Sequence, residues 1–355
     1  MRLVHVVGTR PNVVKMAPVI AATRERFGAA GSVVVHTGQH YDRAMSEVFL
    51  EQLGVGEPDH LLGVGSGTHA EQTARVLERL EPVLAAERPD LVLVPGDVNS
   101  TLAAALCADR LELGVGHVES GLRSFDRSMP EEINRVVTDH LSELLFLHSP
   151  EARENLLAEG VEERRLRFVG NTMIDTLVAL EESFRARGTA NGLGLEPGSY
   201  LLVTLHRPSL VDGPLLGAAL AALGRVAAEM PVVFPVHPRT RKRLGGADAG
   251  AVTLVDPVGY LDFLSLESEA AAVLTDSGGI QEETTYLRIP CFTLRDNTER
   301  PVTITAGTNT LLGLDPRRIT EIPALLGEGS ATDLDPPALW DGAAAQRIAD
   351  ILEGC

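Results

Sequence analysis

Apolar residues along this chain fall in short runs of strand length, separated by longer segments with helical periodicity. Such alternation is typical of parallel sheets built from strand–helix–strand units. The pattern continues through both halves of the chain and predicts an α/β fold with one doubly wound, Rossmann-like domain in each half. The predicted strands are Leu3–Val7, Val33–Thr37, Leu91–Val94, Val115–Val118, Leu144–Leu147, Arg167–Val169, Leu201–Leu205, Val232–Val236, Val252–Leu254, Ala272–Thr275 and Cys291–Leu294.

A domain boundary is indicated by the segment Arg185–Gly198, which is rich in glycine and polar residues and precedes a new strand. We therefore divide the chain into an N-terminal domain, 1–170, and a C-terminal domain, 171–338. Residues 339–355 have a helical pattern, and this helix could pack on either domain, including back on the N-terminal one. Ligands of open α/β sheets bind beyond the carboxyl ends of the strands. Two such domains facing each other predict a central cleft with its chemistry at the strand ends.

The composition argues against several classes of partner. The 355 residues include 31 basic and 49 acidic side chains, and the net charge of −18 argues against nucleic acid or an anionic membrane. Apolar stretches fall short of the roughly 18 residues that a membrane span needs. The three cysteines lie far apart, without the spacing of a disulfide framework or a zinc site. These features predict a cytoplasmic globular protein.

The first predicted strand leads into a candidate anion site. Pro11 suits the first turn of a helix, so Arg10 and Lys15 would lie near a helix N-terminus, where free N–H groups favour an anion. The segment lacks the GxGxxG spacing of dinucleotide-binding loops, so neither a nicotinamide nor a flavin cofactor is indicated. The alternative is a tight turn with solvated charges.

Carboxylates follow two predicted strands of the first half. Asp97 comes soon after one strand and Glu119 directly after the next. A lone acid in such a position is often a helix N-cap, but two at neighbouring strand ends could act as general acid and base. A following helix adds Glu131 and Arg135, which are four residues apart and could instead form an ion pair on one helix face.

The second half has histidines and a glycine turn at its strand ends. His206 and His237 each follow a strand, where a histidine can donate to a phosphate, although a lone histidine is often structural. The most specific motif, TDSGGIQEE (275–283), combines a strand end, a Ser-Gly-Gly turn and a helix start, whose N–H groups can hold a diphosphate. Glu283 could accept from both hydroxyls of a ribose. The alternative is a flexible turn followed by acids in the first helical turn.

Positive charge is concentrated in the two regions assigned to anion binding. Residues 1–40 and residues 201–245 each carry a net charge of +4, so the remainder of the chain carries −26. The acidity of the whole chain is therefore compatible with an anionic ligand, because the sign at a site is set locally.

These motifs occur with several others in a fixed order along the chain. The segments are GTRPNVVKMAP (8–18), TGQH (37–40), PGDVNST (95–101), HVESGLRSFDRSMPEEINR (117–135), VGNTMID (169–175), TLHRPS (204–209), PVHPRT (235–240), TDSGGIQEETTYLRIPC (275–291) and RDNTERPVT (295–303). Together they resemble the non-hydrolysing UDP-N-acetylglucosamine 2-epimerases over almost the whole chain. Each motif alone is weak, but the combination is specific to that family.

The resemblance implies a fold of the glycosyltransferase-B type, a homodimer, and reversible interconversion of UDP-N-acetylglucosamine (UDP-GlcNAc) and UDP-N-acetylmannosamine (UDP-ManNAc). In this family the C2 proton of the sugar leaves together with the anomeric UDP in an anti elimination. UDP then adds back to the 2-acetamidoglucal intermediate after C2 is reprotonated on the opposite face. Cations and backbone dipoles stabilise the leaving diphosphate, and no metal or redox cofactor is implied.

Residue roles follow from the motif match. Asp97, Glu119 and Glu131 resemble the catalytic carboxylates, and His206 is placed with them. Which carboxylate takes the proton and which gives it is left open. Gln39 and His40 match the segment near which bacterial members bind UDP-GlcNAc as an allosteric activator. The residues expected to contact the substrate and UDP are Arg10, Lys15, Arg135, His237, Ser277, Gly278, Gly279, Glu283 and Arg300.

Several departures from the family pattern leave the substrate open. Asn12-Val13 stands where Glu-Ala is common, Ser120 replaces a usual Ala, and Leu210 occupies a position that is often Asn. A related UDP-sugar modified at C3 or C6 is therefore an alternative substrate. The motifs are also compatible with a glycosyltransferase that uses a separate acceptor, a hydrolysing epimerase, or a nucleotide-sugar-binding regulator without catalysis.

Overall fold

The computed structural model describes residues 1–38, 49–245, 249–327 and 335–355. They form two compact units, one of Met1–Thr176 with Ala338–Cys355 and the other of Leu177–Pro337. Each unit contains one parallel sheet with connecting helices. The predicted fold class, two Rossmann-like α/β domains, is confirmed.

The strands of the first unit form a seven-stranded sheet and those of the second a six-stranded sheet. The first set is β1 (Leu3–Val7), β2 (Ser32–His36), β3 (His60–Leu61), β4 (Leu91–Pro95), β5 (Gly114–Ser120), β6 (Leu144–Leu147) and β7 (Leu166–Phe168). The second set is β8 (Leu201–Thr204), β9 (Val232–Pro235), β10 (Thr253–Val255), β11 (Ala272–Thr275), β12 (Cys291–Thr293) and β13 (Asn309–Leu311).

The helices follow the strands in alternation. In chain order they are α1 (Arg10–Phe27), α2 (His69–Glu87), α3 (Asn99–Arg110), α4 (Pro130–Leu141), α5 (Pro150–Ala158), α6 (Thr172–Arg185), α7 (Thr189–Gly192), α8 (Pro208–Val211), α9 (Leu215–Val226), α10 (Pro238–Leu244), α11 (Tyr260–Ser268), α12 (Gly278–Leu287), α13 (Val302–Thr305), α14 (Ile322–Gly327) and α15 (Ala344–Glu353). Short 3₁₀ turns cover Ala29–Gly31, Glu163–Arg165 and Pro316–Glu321.

The order of strands in each sheet reverses once. In the first sheet the order is β3-β2-β1-β4-β5-β6-β7, and in the second it is β10-β9-β8-β11-β12-β13. All strands are parallel, but the side on which successive strands are added changes between β1 and β4, and again between β8 and β11. In open α/β sheets the crevice beyond the carboxyl ends at such a switch point is the usual ligand site. The residues that follow these four strands are therefore the first place to look for a site.

The central strands are buried on both faces, which is why they appear as continuous apolar runs in the sequence. Every residue of β1 and of β4 is buried. The eleven predicted strands agree with the observed ones to within two residues at each end. The pattern did not predict the edge strands β3 and β13. β3 has only two residues, and β13 (NTL) contains no apolar run.

The C-terminal segment belongs to the first unit, where α15 packs on α1. The indole N–H of Trp340 donates to the carbonyl of His148 at 3.0 Å. The N–H groups of Ala344 and Ala345 donate to the carboxylate of Asp175, at 3.1 and 2.6 Å. These contacts attach the C-terminal segment to the first unit. Throughout the described ranges, no helix is both long enough and apolar enough to span a membrane.

Candidate active site

Lys15 and Glu119 form a buried ion pair at the carboxyl edge of the first sheet. Lys15 lies on α1 and Glu119 near the end of β5, and their side chains are only 8% and 6% exposed. The Lys15 ammonium lies beside Gly96, in the turn after β4, where an added Cβ would be 3.0 Å from the nitrogen. The φ of Gly96 is +61°, which glycine adopts without strain. The turn after β4 therefore leaves room for the pair.

The backbone of Glu119 is in the left-handed region, with φ of +66°. The residue lies where β5 shifts register against β6, between Val118 and Ser120. A side chain in this conformation costs roughly 1–2 kcal/mol, and strain of this kind is often found at functional sites. Bulges re-aim side chains at sheet edges, and here the carboxylate meets Lys15.

Asp97 contacts Arg135 at the same edge. Asp97 lies in the turn after β4 with its side chain 23% exposed, whereas the Arg135 side chain, on α4, is 3% exposed. Arg135 also pairs with Glu132 at 2.6 Å. The alternative pair of Glu131 with Arg135, which the spacing allowed, does not form. Glu131 is half-buried and makes no ion pair within the described part of the chain.

A buried charge cluster that the sequence analysis missed lies behind Asp97. His117, in the middle of β5, places Nε2 at 2.7 Å from the carbonyl of Gly96 and Nδ1 at 2.7 Å from Asp139. Burial opposes the ionisation of Asp139, but His117 and Arg123 outweigh it and hold its pKa below the usual value. The cluster thus holds the peptide that precedes Asp97. Its signal in the sequence is a histidine inside the predicted strand Val115–Val118, whose other residues are valine and glycine.

Arg10 begins α1 and is exposed. Its guanidinium carbon lies 5.9 Å from the ring centre of Phe49. Like Lys15, it is near the N-terminus of this helix, as the sequence predicts. The first unit therefore combines two exposed or half-exposed groups, Arg10 and Asp97, with a buried ion pair at one sheet edge.

In the second unit, His206 contacts Asp276 at the switch point between β8 and β11. Asp276 is buried and accepts hydrogen bonds from the N–H groups of His206 and Arg207 at 2.9 and 2.8 Å. It also lies 3.2 Å from Nδ1 of His206, whose side chain is 48% exposed. Asp276 therefore orients a half-exposed imidazole. This role of Asp276 was not predicted, although the residue belongs to the TDSGG motif. His237 is exposed between β9 and α10.

The Ser-Gly-Gly turn leads into α12 and packs against Arg300. Ser277 is the N-cap of the helix, and Gly278 and Gly279 form its start. A Cβ on Gly278 would meet the guanidinium of Arg300, so any side chain there would displace that group. The backbone N–H groups of the first helical turn have no partner within a helix and suit an anion.

Carboxylates hold the cations near this turn. Arg300 pairs with Glu282 and with Glu299, each at 2.7 Å. Glu299 also contacts Arg295 at 2.8 Å and Arg207 at 3.6 Å, so one buried acid is shared by three arginines. Glu282 and Glu299 were not predicted, because their importance depends on contacts that the sequence does not show.

Glu283 is buried on α12 and accepts a hydrogen bond from the hydroxyl of Tyr260 at 3.0 Å. Burial raises the pKa of Glu283 to about 8, while the Tyr260 hydroxyl acts in the opposite direction. Glu267, on α11, is fully buried, and neither of its carboxylate oxygens has a hydrogen-bond partner among the described residues. Burial and the nearby Glu283 raise the pKa of Glu267 well above its usual value. The second unit therefore contains a pair of carboxyl groups that resists full ionisation.

This pair leads to a prediction for stability. Because the folded-state pKa of Glu267 is raised, the folded chain holds a proton that the unfolded chain has lost, and stability falls as pH rises from 4.5 upward. We expect Glu267→Gln to increase the free energy of unfolding, by an amount that grows with pH. Urea unfolding at about pH 5 and about pH 8 measures the difference, with the exposed Glu229→Gln as control. An equal effect at both pH values would contradict the prediction.

Two further predicted features concern metal binding and allostery. In the described stretches, no group of three or more His, Cys, Asp or Glu side chains has a geometry that suits a metal ion. Gln39 and His40, the predicted allosteric residues, lie outside the described residues.

Comparison with known proteins gives consistent matches. A family model described as UDP-N-acetylglucosamine 2-epimerase matches residues 24–353. The chain is 40% identical to the UDP-N-acetylglucosamine 2-epimerase of Methanocaldococcus jannaschii, with 99% of each chain covered. It is 41% identical to the UDP-2,3-diacetamido-2,3-dideoxy-D-glucuronate 2-epimerase of Pseudomonas aeruginosa, again over 99% of each chain. The crystal structure of the M. jannaschii enzyme in complex with UDP-GlcNAc and UDP superposes with a TM-score of 0.89 at 39% identity, covering 100% of both chains.

Proposed function

The chain belongs to the UDP-N-acetylglucosamine 2-epimerase family, and on this basis we propose that it interconverts UDP-GlcNAc and UDP-ManNAc by reversible inversion at C2. The observation that carries the proposal is the pair of carboxylates at neighbouring strand ends, Asp97 with Arg135 and Glu119 with Lys15. Inversion at carbon needs proton transfer at both faces of the ring, and positioned carboxylates are suited to it.

The chemistry follows from the weak acidity of the C2 proton. As a base takes this proton, the C2–H electrons form the C1–C2 double bond, and the C1–O bond breaks with its electrons passing to UDP. The product is 2-acetamidoglucal. In the second half of the reaction, an acid protonates C2 from the opposite face and UDP adds to C1. We assign the proton transfers to Asp97, Glu119 and Glu131.

The second unit has features suited to UDP. The free N–H groups at the start of α12 and the nearby Arg300 favour a diphosphate. The carboxyl group of Glu283 can accept from two ribose hydroxyls. His206, oriented by Asp276, is half-exposed and can donate to a phosphate oxygen as charge develops on the leaving group.

We further propose that the protein acts as a cytoplasmic homodimer. The family resemblance supports the dimer, and the unpaired state of all three cysteines is consistent with a reducing compartment. Light scattering of the purified protein tests the dimer directly.

A second candidate substrate is supported by one comparison. The chain is 41% identical to the P. aeruginosa UDP-2,3-diacetamido-2,3-dideoxy-D-glucuronate 2-epimerase. It is 40% identical to the M. jannaschii UDP-N-acetylglucosamine 2-epimerase. The same elimination chemistry would act on such a sugar, because its reacting atoms are also C1 and C2. Identity alone therefore does not separate the two substrates.

Proton NMR in deuterated water tests both candidates. We expect UDP-GlcNAc to give UDP-ManNAc signals, with deuterium replacing hydrogen at C2 of both sugars, because the proton exchanges with solvent in the intermediate. Product without deuterium would contradict the elimination mechanism. Accumulation of UDP with free N-acetylmannosamine would indicate a hydrolysing enzyme. Turnover of the 2,3-diacetamido sugar alone would favour the second candidate.

A further inference from the structure

Glu132 is a buried acid at the start of α4, next to the candidate catalytic Glu131. It is 3% exposed, whereas Glu131 is half-buried. Burial of a carboxylate is costly unless donors surround it. The donors around Glu132 come from two different segments, the loop after β5 and α4 itself.

Both carboxylate oxygens of Glu132 are occupied by donors. One oxygen accepts from the N–H and the hydroxyl of Ser124, each at 2.9 Å, and from the Arg135 guanidinium at 2.6 Å. The other accepts from the N–H of Phe125 at 2.9 Å. Four donors occupy the carboxylate, so Glu132 is suited to hold its neighbours in place.

The loop that Glu132 holds is strained. Phe125 has φ of +59° and its side chain is 76% exposed. The left-handed conformation is unfavourable for a residue with a Cβ. Because the Phe125 ring is exposed, burial of the ring does not offset this cost. The hydrogen bond from the Phe125 N–H to Glu132 is a contact that stabilises this conformation.

The guanidinium that Glu132 holds is the one that contacts Asp97. Arg135 is almost fully buried and uses one terminal nitrogen for Glu132 and the other for Asp97. The chain of contacts therefore runs from the loop through Glu132 and Arg135 to Asp97. A planar guanidinium held at one end has a defined direction at the other.

We propose that Glu132 is a positioning residue for catalysis, which holds Arg135 and thereby sets the orientation and charge environment of Asp97. The proposal rests on the proposed function, because it assigns Asp97 to proton transfer. Glu132 shares the positive charge of Arg135, so that Asp97 is not the sole counter-ion. Without Glu132, the guanidinium loses one of its two anchors and moves away from Asp97, which impairs proton transfer.

The variant Glu132→Gln keeps the shape of the side chain and removes its charge. An amide presents two N–H groups where donors already point, so the contacts to Arg135 and Phe125 cannot all persist. We expect kcat for C2 epimerisation to fall on the order of 100-fold, as for other small displacements of reacting groups. The Kd of UDP, measured by calorimetry, should stay within about twofold, because the groups proposed above to hold the diphosphate and the ribose, at the start of α12 and at Glu283, lie in the other unit.

Controls separate positioning from general destabilisation. Glu151→Gln changes an acid in the first turn of α5, after Pro150, and should leave kcat unchanged. If Glu132→Gln does not fold, Glu132→Asp keeps the charge but shortens the reach, and should still lower kcat. A crystal structure of the folded variant should show Arg135 displaced from Asp97.

The outcomes are distinguishable. A folded Glu132→Gln with kcat within about threefold of the unmodified protein, or with Arg135 still against Asp97, would overturn the positioning role. If the unmodified protein does not epimerise either candidate sugar, the proposed function fails. The crystal structure then still decides whether Glu132 positions Arg135.

Discussion

Replacing Asp97 by asparagine is expected to lower kcat for C2 epimerisation by about 10²- to 10⁴-fold, the range typical of a lost general acid or base. The substitution keeps the side-chain shape but removes the group that can carry a proton. Because Asp97 is partly exposed and contacts Arg135, it can reach a ligand while remaining oriented. Steady-state kinetics with UDP-GlcNAc measures the effect, and loss of C2 deuterium exchange should accompany it.

A matched control for Asp97→Asn lies at the other end of the same strand. Asp90 precedes β4, is exposed, and accepts a hydrogen bond from the N–H of Arg2 at 2.6 Å. Asp90→Asn should leave kcat unchanged. If Asp97→Asn retains full exchange at C2, Asp97 does not carry the proton, and Glu119 or Glu131 must do so.

The largest effect on stability is expected for Lys15→Met. This substitution leaves the Glu119 carboxylate buried without its cation, and removal of one member of a buried ion pair typically costs about 3–5 kcal/mol. Both side chains are less than one-tenth exposed, so water cannot replace the lost partner. We expect the free energy of unfolding in urea to fall by that amount, together with loss of activity.

The double variant Lys15→Met with Glu119→Gln separates charge from packing. Removing both charges eliminates the buried carboxylate that has lost the Lys15 ammonium, so most of the stability should return. Activity should not return, because Glu119 is a candidate for proton transfer. Equal stabilities of the single and double variants would contradict the expected recovery.

Much of the fold could be predicted because the buried strands appear as apolar runs. Strands such as Leu3–Val7 and Ala272–Thr275 were predicted with their observed bounds. The edge strand Asn309–Leu311 was not, since only sheet pairing with β12 defines it. The family resemblance in the motifs is confirmed by the comparisons.

The candidate site could be predicted only in part. Charged residues at strand ends, such as Asp97 and Glu119, stand out from the sequence alone. Their partners do not, because the contacts join residues far apart in the chain. Asp276 reaches His206 across 70 residues, and Arg135 reaches Asp97 across 38. Glu132 was passed over in favour of Glu131, since adjacent acids on a helix differ in burial only once the helix has packed.

The discontinuity of the first unit affects how the chain can fold during synthesis. Ala338–Cys355 belongs to the first unit but follows the whole of the second in the chain. The ribosome therefore completes all of Leu177–Pro337 before it adds α15, which covers α1. Domains that emerge first usually fold first. Here the nascent first unit lacks α15 until synthesis is nearly finished, so the apolar surface that α15 covers on α1 stays exposed until then. Trp340, buried against His148, is then among the last contacts to form.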